Sequence, residues 1–516
     1  MLETSLQEVA IEENLKQFLL VLSVSLSVAT LPQVFSSLRQ IPYTLLLVIV
    51  GLGLAFVDIH LVDLSPVLIL TIFLPPLLFE AAWNIEWSQL KQDLIPISLY
   101  VVFGVVISVG GIAVGLNQLA GLSLTTALLI GASLSATDPV SVIALFRELG
   151  VPKRLTTLTE GESLFNDGMA VVAFSFLVSF SLGNTELAPA PILLELVKVI
   201  GIGIGGGCLI GFGISYLTQR FDLPLVEQSL TLVSTYATYL IIEDLGGSGV
   251  IGVVTMGLIL GNFGSRIGMN PRTRVIVTEF WDFLAFFVNS IVFLLIGDRV
   301  RFAMLGQNLP TIAIAIGMML LTRAIAIYGF GLVSNRIVNA QISLPDQTIL
   351  WWGGLRGSVS IALALSVPTS LPGREQVIAT VFGVVLFTLL VQGLTMKPLL
   401  DKLNLLNEQP LRQEYAEEIA RQAALERVMA HLQQAVTRPG LDPEFVRCQT
   451  ALIQGELNKI ALDIEKILDE NPDLQHFVAE RLKAELLAIE SDTYAELVRA
   501  GQLTQELSPV LQSVED

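Results

Sequence analysis

A polytopic, all-α membrane protein of about thirteen transmembrane helices with a soluble helical tail is the fold class that this sequence predicts, and three observations predict it. Of 516 residues, 53% are apolar and only 15% are charged, against roughly a quarter charged in soluble domains. Apolar runs repeatedly reach the roughly 18–20 residues that cross a bilayer. Those runs lack the period-two alternation of a barrel strand, and backbone groups find no water in lipid, so the runs must be helices.

In chain order the segments are 17–34, 41–58, 65–83, 94–117, 122–146, 160–182, 191–218, 228–243, 249–263, 276–297, 310–333, 347–367 and 376–400. The first follows an acidic start in which Glu3, Glu8, Glu12 and Glu13 precede Lys16, an order that reads against a cleaved leader. The third carries a double proline and then Glu80. The fifth is interrupted by Thr137-Asp138-Pro139, and the sixth opens on Glu160 and Glu162. Gly203, Gly207 and Gly211 give the seventh the four-residue spacing of close helix packing. The eighth and ninth are short, with the least sharply marked ends. Asp282 and Asn289 sit in the tenth, Arg323 in the eleventh, and Gly353, Gly354, Arg356 and Gly357 in the twelfth. Asp282, Asn289, Arg323 and the pair Glu195 with Lys198 are read as helix-packing groups rather than ligands.

Composition narrows the chemistry. Two cysteines, Cys208 and Cys448, make neither a disulfide framework nor a thiolate cage. His60, His431 and His476 leave the apolar segments without imidazole, so a His-ligated metal or a histidine proton relay is not expected there. A net charge of −18 speaks against nucleic acid. No zinc-protease motif, nucleophile elbow or nucleotide loop supports catalysis, so the chain does not read as an enzyme.

Alternate loops hold Arg39; Lys91; Arg147, Lys153 and Arg154; Arg220; Arg266, Arg272 and Arg274; Arg336; and Lys397, eleven basic residues against four (Lys16, Arg299, Arg301, Arg374) on the other face. The richer side is cytoplasmic by the positive-inside rule. Thirteen spans then place the N-terminus outside and the C-terminus inside. Residues 1–400 form the membrane domain. Residues 401–516 hold 22 acidic and 11 basic residues, an acidic cytoplasmic tail. Leu425, Val428, Met429, Leu432 and Val436 fall at helical spacing there, Pro439-Gly440 ends that helix, and amphipathic stretches follow at 444–468 and 473–500.

The fifth and twelfth segments lie seven apart, an odd offset, so they cross in opposite directions. Interrupted helices at matching positions of two inverted halves point to a transporter's midplane site. A carboxylate at a helix centre costs roughly 2.5–3.5 kcal/mol and persists only if protonated, paired or cation-bound. In GASLSATDPVSVIALF, Pro139 removes a donor and frees carbonyls near Ser135–Thr137 beside Asp138. That makes an oxygen-rich site for a hard cation, and a carboxylate capping the second half-helix is compatible with it. In EGESLFNDGMAVVAFSF, Ser163 and Asp167 share one strip of a helix and Glu162 and Asn166 the next, about 100° away. Ser163 and Asp167 can thus offer oxygens to a common ion. Arg356, in WWGGLRGSVSIALALS, cannot shed its charge and needs a carboxylate, for which Glu162 is the candidate. Glu80 reads either as a third carboxylate facing the site or as an interfacial acid near Trp83 and Trp87.

ATDPVSV, then EGESLFNDG, then GGLRGSVSIALALS, in that order, resembles the monovalent cation:proton antiporter family of bacterial NhaP-type antiporters and eukaryotic sodium/proton exchangers, over about residues 1–400. The resemblance implies an NhaA/NhaP-like fold with two crossed, interrupted helices in a mobile core, a dimerisation domain and hence a homodimer. It implies Asp167, preceded by Asn166, as the cation or proton carrier. Asp138 and the Thr137 carbonyl match the unwound fifth helix, Ser163 the serine ligand, Glu80 a third acid, and Glu162 with Arg356 a structural ion pair.

The expected activity is exchange of Na+, with Li+ or K+ as further cargo, for H+, in a cell membrane and without a cofactor. A neutral Asn166 beside Asp167 removes one titrating charge, so one-for-one, electroneutral exchange is expected. A cation channel or uniporter using the same acids is the alternative. Expected partners are lipid, a second copy and, for the tail, a regulatory ligand or its own dimer mate.

Overall fold

The computed structural model describes residues 2–470 apart from 36–40, 58–65, 184–188, 219–222, 266–268, 270, 339, 404, 406–408 and 436–442, together with eight scattered positions between 478 and 497. The expected basic loop residues Arg39, Arg220 and Arg266, and most of the amphipathic stretch 473–500, lie outside the described residues. The chain divides into two compact units, Met1–Leu403 and Asn404–Asp516.

No strand occurs among the described residues, and each of the thirteen apolar stretches falls on a helix or on two half-helices. In order these are α1 (Leu2–Val34), α2 (Tyr43–Phe56), α3 (Pro66–Asn84), α4 (Leu94–Ala120), the halves α5 (Leu124–Ser133) and α6 (Val140–Leu149), and α7 (Lys153–Ser181). There follow α8 (Pro189–Thr218), α9 (Pro224–Asp244), α10 (Gly249–Gly264), α11 (Pro271–Asp298), α12 (Leu309–Ile337), the halves α13 (Leu344–Trp352) and α14 (Ser358–Leu365), and α15 (Arg374–Lys402). Seven of them, α3, α4, α7, α8, α11, α12 and α15, are long and apolar enough to cross a membrane. The chain is a multi-pass integral membrane protein.

Local chemistry sets the ends. Ser123 accepts the Thr126 amide at the start of α5, and Ser343 and Asp346 form a reciprocal capping box at the start of α13. Gly121 and Gly150 stop α4 and α6 with φ of 66° and 60°. Among the described residues three helices carry a π-turn, in which one extra residue is fitted into the coil: Ile69–Phe73, Leu260–Gly264 and Thr388–Gly393.

Packing builds a frame around the two interrupted helices. α4 lies along α12, α2 along α11, and α8 along α10. The expected role of the seventh-segment glycines is met at α8: a Cβ on Gly203 would come within 3.1 Å of Ile251, and one on Gly211 within 3.2 Å of Ile259. α5 touches α4, α7, α14 and α15, so the first half-helix is enclosed by the elements that carry the second. In the second unit, α16 (Gln409–Ala435) and α17 (Pro443–Glu470) pack against each other, covering the tail's first two amphipathic stretches.

Candidate functional site

The two breaks meet. Between α5 and α6 the chain unwinds over Ala136–Pro139, and between α13 and α14 over Gly354–Gly357. The Asp138 amide donates to the Leu355 carbonyl at 2.8 Å, and the Ser360 hydroxyl donates to the Ala136 carbonyl at 3.3 Å. These bonds satisfy backbone groups that the proline and the glycines leave without helical partners. Asp138 accepts the Val140 amide at 3.0 Å, so it caps α6, while the Ser358 amide at the start of α14 also faces its carboxylate. Two helix N-termini therefore converge on one acid, where their partial positive charge favours an anion. Gly357 lies so close to Asp138 that a Cβ there would overlap the carboxylate.

α7 supplies the opposite wall. Asn166 donates through Nδ2 to the Ser135 carbonyl at 2.8 Å and to the Thr137 hydroxyl at 3.0 Å. Those two bonds fix the amide so that Oδ1 faces the other way. Asn166 Oδ1 and Asp167 Oδ1 are both buried without a hydrogen-bond donor. The Thr137 amide lies against the Asp167 carboxylate, which is also in the field of Asp138, Glu162 and Arg356. Ser163 is buried one turn earlier on the same strip of α7. Thr137, Asp138, Asn166 and Asp167 are thus brought together.

Glu80 sits on α3 beside Asn84 and Asp282. Asn84, one turn further along α3, donates to Glu80 at 2.7 Å and to Asp282 at 3.1 Å. Among the described residues no three His, Cys, Asp or Glu side chains converge as an ion cage. The nearest link is Tyr43 on α2, whose phenol lies in the field of both Glu80 and Asp138 and beside Asn289. Two open cavities of about 310 and 330 Å3 flank the end of α3 and share Asn84 and Glu86. Glu160 lines the second of them.

The ion pair expected between Glu162 and Arg356 is corrected. Glu162 is taken by Arg323, both nitrogens of whose fork reach its two oxygens at 3.1 Å. The remaining donors of Arg323 cap the end of α13, at the Leu350 carbonyl (2.8 Å) and the Trp351 carbonyl (3.1 Å). Only a planar guanidinium offers enough donors for a bidentate carboxylate and two helix-end carbonyls together, and Gly354 leaves it room. Arg356 is 1% exposed, faces Glu162 and Asp167 without bonding either, and leaves Nε and Nη1 without partners. Sequence reading treated Arg323 as a packing group. Its signal was its place deep in α12, since a guanidinium there demands an acid. Glu195 and Lys198 form an exposed pair at 3.7 Å within α8 rather than a contact between helices, while Asp282 of α11 accepts from Asn84 of α3 at 3.1 Å.

Buried acids between two broken helices, balanced by guanidinium groups inside a multi-pass helical protein, define an ion-coupled secondary transporter. The profile of the transmembrane sodium/hydrogen exchangers matches residues 22–402, and the chain belongs to that family. It is 62% identical over 514 residues to the Na+/H+ antiporter ApNhaP of Aphanothece halophytica, the match covering 99% of each chain. It is 54% identical over 519 residues to the low-affinity Na+/H+ antiporter NhaS1 of a Synechocystis strain, covering 100% of this chain and 98% of that one. Its fold is similar to that of the sodium proton antiporter MjNhaP1 from Methanocaldococcus jannaschii, with a TM-score of 0.64 at 21% identity over 76% of this chain and 99% of the other. The family resemblance carried by the three motifs is thereby confirmed.

Proposed function

We propose that the chain is an antiporter exchanging Na+ for H+, with both ions competing for Asp167 and Asp138. The observation that carries this reading is the pair of buried, donor-free oxygens, Asn166 Oδ1 and Asp167 Oδ1. A buried acceptor with nothing to accept is costly, and a proton or a hard cation on Asp167 relieves that cost. Thr137, Asp138 and Ser163 supply further oxygens, and Li+ and K+ are further candidates for cargo on the same ligand chemistry.

Charge counting supports one-for-one exchange. The cluster sets buried Glu162 and Asp167 and partly buried Asp138 against Arg323 and Arg356, which leaves one negative charge when all are ionised. One proton or one monovalent cation brings the cluster to neutrality, and both loaded forms carry the same charge across the low-dielectric barrier. The empty form carries a charge and crosses poorly, which couples the two fluxes.

The chain resides in a cell membrane, with the N-terminus outside, the basic loops and acidic tail in the cytoplasm, and a homodimer as the working unit. The outward-facing Leu194, Val197, Ile204 and Leu209 of α8 meet lipid or a second copy. The tail, residues 401–516, is regulatory.

The test is cation-driven pH change in proteoliposomes with Na+, Li+, K+ and Ca2+, comparing wild type with Asp167→Asn. Na+-driven proton movement in wild type, silence in the variant and no membrane potential are the expected results. Proton-independent cation current would replace the reading with the channel.

A further inference from the structure

The unwound Gly354–Gly357 stretch has two neighbours, and only one of them belongs to the site described above. On the side away from Asp138 it rests on the π-turn of α15. Thr388 opens that turn, and its hydroxyl accepts the Arg356 amide at 3.1 Å while donating to the Val385 carbonyl at 2.9 Å. Gln392, in the same turn, donates through Nε2 to the Trp352 carbonyl at 3.1 Å. Trp352 is the last residue of α13, so the two bonds hold the broken stretch at its entry and in its middle. Both side chains are fully buried.

Thr388 and Gln392 lie four residues apart within the π-turn. An α-helix turns about 100° per residue, so four residues further on a side chain is offset by about 40°. Residues four apart stay on one side of either coil, so both polar groups face one short segment. A plain α-helix made of the same apolar residues would have no reason to carry a buried Thr and a buried Gln here.

Beyond this clamp the stretch continues directly into the ion site. Leu355, between the two clamped residues, holds the Asp138 amide, and Gly357 packs on the Asp138 carboxylate. We propose that Thr388 and Gln392 are positioning residues for exchange: they fix the unwound stretch so that Asp138 is held at the right place relative to Asp167. The inference rests on the antiport reading and adds to it two residues on α15 that touch neither the cation nor a carboxylate. A slip of the stretch misplaces one cation ligand, so the loss falls on cation affinity.

The experiment measures Na+/H+ exchange by the full chain in proteoliposomes for wild type, Thr388→Val, Thr388→Ser and Gln392→Met, at equal amounts of monodisperse protein. Removing one buried hydrogen-bond partner is expected to raise the KM for Na+ about tenfold in Thr388→Val and in Gln392→Met, with Vmax within about twofold of wild type. Thr388→Ser keeps the hydroxyl and is expected to restore the wild-type KM. Should Thr388→Val not yield folded protein, Gln392→Met decides the question independently. Wild-type KM in both folded variants, or a fall in Vmax with KM unchanged, overturns the proposal. A silent wild type overturns the antiport reading instead, so the two failures are distinguishable.

Discussion

In the first interrupted helix the break is made by one proline and surrounded by acid and hydroxyl groups: Thr137, Asp138 and, from α7, Asn166 and Asp167. In the second it is made by three glycines and surrounded by guanidinium groups, Arg323 beneath and Arg356 within. Proline frees carbonyls and so enriches oxygen, whereas glycine frees space, which here admits a bulky cation and a neighbouring carboxylate. On the proposed reading the first break binds the cargo, and the second balances charge and holds the first in place.

The largest expected effect bears on the first break. Asp167→Asn keeps size and polarity but neither titrates nor carries charge, so exchange should fall to background while size-exclusion behaviour stays normal. Persistent exchange would move the carrier role to Asp138, the other carboxylate of the same break.

Next comes Gly357→Ala, which drives a methyl group into the Asp138 carboxylate. Exchange should drop about tenfold or more, from an overpacking cost of roughly 1–3 kcal/mol. Near-normal transport would mean that the breaks are not in rigid contact.

Third, Arg323→Ala strands Glu162 in the interior, a loss of roughly 3–5 kcal/mol of stability. Thermal unfolding in detergent should show Arg323→Ala as the weakest protein, with Arg356→Ala less affected because Arg356 has no direct bond to lose. The reverse order would restore Glu162–Arg356 as the structural pair.

Smaller still is Thr44→Val, which removes the 2.7 Å bond between α2 and Ser141 of α6 and should cost about 1 kcal/mol. Smallest is truncation after Leu403, at the boundary between the two units. Basal exchange should survive and only the pH profile should move; an unchanged profile would remove the regulatory role of the tail.

Legibility in the sequence followed locality. Asp138 and Asp167 were visible because an acid in an apolar run is anomalous wherever its partners lie, and Pro139 marks its own break. The helices were visible because their length is dictated by the bilayer. The partner of Glu162 was not visible, since its helix is separated from those of Arg323 and Arg356 by over a hundred residues and spacing within one segment says nothing about which arginine faces it. Glu80 stood open between two readings for the same reason. Thr388 and Gln392 were silent because Thr and Gln raise no alarm in an apolar stretch and a π-turn leaves no mark on hydropathy.

Trp351 and Trp352 sit side by side at the end of α13, their rings 5.3 Å apart, with indole nitrogens bonded to the Leu320 carbonyl and the Thr395 hydroxyl. They are two of only five tryptophans in the chain. Any shift of the second break changes the surroundings of both indoles at once. The protein thus carries its own optical probe, and intrinsic fluorescence recorded during Na+ or pH titration should report occupancy of the site without a label.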